Sequence, residues 1–73
     1  MSNFVGYVYT DMCELRRVEI TKDGEYVNVW ESGEIRDDIE TKEDYARRTD
    51  GFYETPSDFK AGKVLSIDEV WPE

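Results

Sequence analysis

Asp23-Gly24 constrains this chain more than any other feature. An Asp-Gly pair accepts the positive φ that a tight hairpin turn requires, and here it stands between two alternating runs. Before it, Leu15, Arg17, Glu19 and Thr21 share one face, and Arg16, Val18 and Ile20 the other. After it, Val27 and Val29 share one face, and Tyr26, Asn28 and Trp30 the other. The spacing predicts an antiparallel hairpin. Upstream, Phe4 to Thr10 is β-branched and aromatic, the composition of a further strand. Asp11 to Cys13 turns the chain between the two. Downstream, Ser32-Gly33 reads as a second turn and Glu34-Ile35-Arg36 as a short strand that extends the meander.

The remainder reads as helix, then strand. Thr41 with Asp44 three residues on resembles a capping box, so a helix is predicted over 42–48. Arg47 and Arg48 then complement the dipole at its C-terminal end. Asp50-Gly51 reads as a turn, and Pro56 to Phe59 as a loop or single helical turn. Lys63 to Val70, with its apolar weight on Val64, Leu65, Ile67 and Val70, reads as a closing strand. The predicted fold is α+β: one domain over residues 1–73, a small curved antiparallel sheet of about four strands with one short helix, in the order β-β-β-(β)-α-β.

A domain of 73 residues buries a small core, and natural chains of that size often add disulfides, a metal or a partner chain. A single cysteine and no histidine exclude an internal disulfide and leave a structural zinc site without ligands. Cys13 is expected as a small buried hydrophobe. Association remains open as a stabilising device, for instance a homodimer joined edge to edge through Phe4–Thr10 or Lys63–Val70. Aromatic side chains at 14% argue for a folded rather than a disordered acidic chain. No apolar run approaches the ~20 residues of a membrane span. Met1-Ser2-Asn3-Phe4 lacks a basic stretch followed by an apolar one, so a signal peptide is not expected. With a lone thiol, these features set the expectation of a cytoplasmic protein that binds no membrane.

Eighteen Asp and Glu against nine Lys and Arg leave a formal charge of -9. That field repels phosphate, so direct nucleic-acid binding is not expected, and a basic protein surface is the expected partner. Without histidine no Ser-His-Asp or Cys-His arrangement exists, and no glycine-rich phosphate loop is present. The carboxylate-dense stretch from Asp37 to Asp44 lacks the central glycine of a calcium loop and contains Lys42. The expectation is a non-catalytic protein with no cofactor and no metal.

The acids concentrate in one stretch, Glu31, Glu34, Asp37, Asp38, Glu40, Glu43 and Asp44, relieved only by Arg36 and Lys42. Alternate strand residues ~6.7 Å apart and helix neighbours ~5–6 Å apart space such charges on the scale of a phosphate backbone. These residues, with Tyr45, form the candidate partner-binding surface, fitted to occlude the basic groove of a nucleic-acid-binding protein. Trp30, Phe52 and Tyr53 are further candidate anchors, with Tyr45 and Tyr53 expected to be the most exposed. Crowding predicts carboxylates that titrate above their ordinary range. The alternative is a non-catalytic interaction module or small subunit whose acidic face only solubilises it. In size and charge alone the chain resembles the small acidic inhibitors that viruses and mobile elements direct at host nucleic-acid-binding proteins. That resemblance implies host-defence evasion by charge mimicry in a host cytoplasm, and assigns no residues.

Overall fold

The hairpin forms as the turn signal dictates. Gly24 takes φ 63, and Asp23 pairs with Tyr26, which sets Ile20 opposite Val29 and Val18 opposite Glu31. The computed structural model describes residues 3–39 and 41–72. Strands β1 (Phe4–Thr10), β2 (Leu15–Asp23), β3 (Tyr26–Glu31) and β4 (Glu34–Ile35) make the expected meander. Then follow helix α1 (Lys42–Arg47), strand β5 (Thr49–Tyr53) and two short helices, α2 (Pro56–Ala61) and α3 (Ile67–Val70). The strands form one open antiparallel sheet in the order β4-β3-β2-β1-β5, so the fold is α+β as expected.

Three local expectations are corrected. Thr49–Tyr53 is a strand paired with β1, although Asp50-Gly51 resembles a turn. Gly51 sits at φ 150, and a Cβ there would lie 2.7 Å from a Val64 methyl, so the glycine admits a close approach instead of a reversal. Lys63–Val70 is not a strand: only Leu65 bridges to Phe52, and Ser66 N–H donates to the Glu69 carboxylate at 2.7 Å to start α3. Cys13 is exposed at φ 61 in the first turn, where no core reaches it. Edge pairing through Phe4–Thr10 is restricted, because β1 is bonded to β2 on one side and, from Tyr7 to Thr10, to β5 on the other.

The helices cap as their sequences allow. Thr41 accepts from the Asp44 amide at 3.1 Å to start α1, and Thr55 does the same for Asp58 ahead of α2, with Pro56 in its first turn. One face of the sheet carries the core, Val8, Val18, Ile20, Val29 and Phe52, closed by Tyr45 of α1 and Val70 of α3. On the opposite face α2 covers only the β1–β5 side. There Phe59 stacks on Tyr9 with centroids 5.0 Å apart and meets Tyr53 edge-on at 5.1 Å.

Candidate functional site

Strand parity carries Glu31 inward behind Val27 and Val29. Its carboxylate is accordingly buried, with the residue only 3% exposed. A buried carboxylate is costly unless it is paired and hydrogen-bonded, and three elements supply the donors. Tyr45 of α1 donates its hydroxyl to Oε2 at 3.1 Å. Arg36, just past β4, donates Nη1 to Oε1 at 3.0 Å. Arg16 of β2 donates Nη1 to the same oxygen at 3.4 Å. Among the described residues no buried side-chain nitrogen or oxygen lacks a partner. Burial, reinforced by the neighbouring Glu31 charge and its hydrogen bond, pushes the Tyr45 phenol well above its ordinary pKa.

The arginines extend this cluster outward. Arg16 also holds Glu14 at 2.6 Å, and that bond raises the guanidinium's pKa. Arg36 binds Asp38 at 3.3 Å, which raises the Arg36 pKa in turn, and Arg48 reaches the other Asp38 oxygen at 2.6 Å. The hydrogen bond from Arg36 holds the Asp38 carboxyl below its ordinary range, with the Arg36 and Arg48 charges acting the same way. Crowding does not decide this carboxylate's titration; its cationic neighbours do. Farther along, Asp44 pairs with Arg47 on α1, and Lys42 with Asp68 of α3.

The stretch expected to form one docking surface is therefore divided. Glu31 and Tyr45 are corrected from partner-binding residues to interior ones. Tyr45 is 1% exposed because α1 lays its ring against Phe52 at 5.7 Å and Trp71 at 6.2 Å. Asp38 and Asp44 are on the surface but held by arginine. Glu34, Asp37 and Glu43 are exposed, and none forms an ion pair with another described residue. Glu40 lies outside the described residues. Of the candidate aromatic anchors, Phe52 and Tyr53 are buried and Trp30 is exposed. That the basic residues neutralise nearby acids and hold the fold together is the expectation for Arg16 and Arg17, but the sequence does not name Glu31 as the partner shared by Arg16 and Arg36. For Arg16 the signal was present, since it alternates with Val18 and Ile20 on the core face.

An open cleft of about 270 Å³ fronts the cluster, lined by Thr10, Arg16, Arg36, Tyr45 and Arg48 with Glu31 at its base. Its guanidiniums already hold carboxylates, so an incoming anion competes with Glu14, Glu31 and Asp38 for them. Glu31 has both oxygens engaged, an arrangement that braces three elements rather than presenting a free base. Among the described residues no three His, Cys, Asp or Glu side chains gather to hold a metal ion, and no helix is long and apolar enough to cross a membrane. Comparison with protein-family models, curated proteins and solved structures gave no match.

Proposed function

We propose that the chain is a small non-catalytic inhibitor that binds a basic protein surface, of the kind nucleic-acid-binding proteins present, and occludes it. One observation carries this reading: the basic side chains are consumed internally while acids are left over. Arg16, Arg17, Arg36, Lys42, Arg47 and Arg48, six of the nine cations, are paired with carboxylates. The excess negative charge faces solvent at positions such as Asp23, Glu25, Glu34, Asp37 and Glu43, all exposed. Such a surface steers a positive partner and suppresses a negative one. The charge that does the steering is thus spread around the fold; within the acidic stretch Glu31 and Asp38 are spent on ion pairs that tie elements together, while Glu34, Asp37 and Glu43 stay open to a partner.

The test is displacement of a labelled oligonucleotide from a panel of basic nucleic-acid-binding domains at low salt. The chain is expected to displace it from at least one of them. A Glu34→Lys/Asp37→Lys/Glu43→Lys variant should do so about tenfold less well, mainly through slower association. An oligonucleotide left in place on every domain would end the reading.

A further inference from the structure

The face of the sheet turned away from the core exposes apolar side chains between the polar Arg17, Glu19, Thr21 and Asn28. Register places Val5, Glu19, Trp30 and Ile35 side by side across four adjacent strands, a row ~14 Å long at ~4.8 Å per strand. Val5 is 54% exposed, Trp30 40% and Ile35 55%, and Tyr26 on the same face of β3 reaches 77%. The solvent face of an antiparallel sheet is ordinarily polar, and exposed apolar patches with polar rims mark interaction sites. Phe59 shows how this face is covered where the chain covers it itself, over Tyr9 and Tyr53. Nothing described does the same over β2, β3 and β4.

We infer that this uncovered face docks a positively charged protein partner that brings an apolar side chain flanked by Lys or Arg, with Trp30 as the central anchor. The inference rests on the reading above that the partner is basic, and adds where it sits. Charge complementarity selects the occupant. Asp23 and Glu25 stand beside Tyr26 at the hairpin, and Asp37 lies two residues beyond Ile35 at the edge strand; all three are exposed and make no ion pair among the described residues. The cation that β2 places on this face, Arg17, is held by Glu19 at 2.8 Å. A second copy fits poorly. It brings another -9, and two-fold pairing would set the same acidic rim against itself. Tryptophan in a desolvated centre ringed by polar groups is the usual make-up of an interface hot spot.

Two fluorescein-labelled synthetic peptides of equal charge test this by anisotropy, one an amphipathic leucine–lysine peptide and the other its serine–lysine counterpart. The leucine–lysine peptide is expected to bind at least about tenfold tighter. That advantage should vanish in Trp30→Ser/Ile35→Ser and shrink in Val5→Ser, with thermal melts confirming that each variant is folded. Equal binding of the leucine–lysine peptide to the native chain and to the double variant would overturn the docking face while leaving charge-driven binding intact. Failure of both peptides at low salt would overturn the basic-partner reading itself. Concentration-dependent dimerisation abolished by Trp30→Ser would reassign the face to self-association.

Discussion

Trp30 and Glu31 are neighbours in β3, and their burial is the reverse of their hydropathy. The tryptophan stands 40% exposed on one face of the sheet while the glutamate, 3% exposed, lies on the other among valines and a tyrosine. Side chains in a strand alternate strictly, so once Val27 and Val29 face the core, Glu31 follows and Trp30 cannot. The inside position is tolerable because Tyr45, Arg16 and Arg36 bring donors to it. Among the described residues the outside position has no such compensation. The inward face is thus closed by the chain's own side chains, and the outward face keeps Val5, Tyr26, Trp30 and Ile35 exposed.

The contrast is most open to attack at Glu31. Glu31→Ala leaves two arginines and a buried hydroxyl without their common acceptor, and breaking a buried ion network of this kind costs about 3–5 kcal/mol. Urea denaturation should show that loss; one below about 1 kcal/mol would mean the interior carboxylate is dispensable. Ile20→Ala, which empties a fully buried site in the same face, should cost about 2–5 kcal/mol in the same measurement.

Smaller effects sharpen the picture. Tyr45→Phe removes one hydrogen bond to Glu31, worth about 1–3 kcal/mol to a charged acceptor. It also bears on alkaline unfolding. The folded phenol titrates above its unfolded value, so its contribution is whole below about pH 10 and is lost as pH rises toward the folded pKa. Thermal melts above pH 10 should therefore fall less steeply in the phenylalanine variant. Asp38 works at the acid end with the opposite sign. Its folded pKa is depressed, so its contribution is present above about pH 3.9 and disappears as pH falls through the folded pKa. Asp38→Asn should flatten that part of the acid melting curve. Smallest of all, Trp30→Ser and Ile35→Ser should each stay within about 0.5 kcal/mol of the native chain, since neither has a place in the core. A larger loss at Trp30 would erase the difference between the two faces.

Much of this arrangement could be read in advance. The Asp23-Gly24 turn and the alternation around it placed Arg16 with Val18 and Ile20, and extending the same parity from Val29 placed Glu31 with them. The inward position of Glu31 was legible and was obscured by its membership of an acidic run. The exposed row was half legible, because Trp30 was assigned the face opposite the valines. The tail of the chain was not read correctly. Asp50-Gly51 carries a turn's composition yet lies inside β5, where the glycine admits Val64, and only the neighbouring chain explains that. Ser66 and Glu69 carried the spacing of a capping box, a local helix signal that outweighed the apolar residues around it.

From the order of residues alone came the strand hairpin, its register and the membership of each face, because a turn of two residues and a period of two are local properties. Which face the helices would cover was decided only in three dimensions. Both faces offer apolar side chains, and the choice depends on contacts such as Tyr45 with Glu31, fourteen positions apart. The closure entropy of such a loop is offset by packing that no short window of sequence contains.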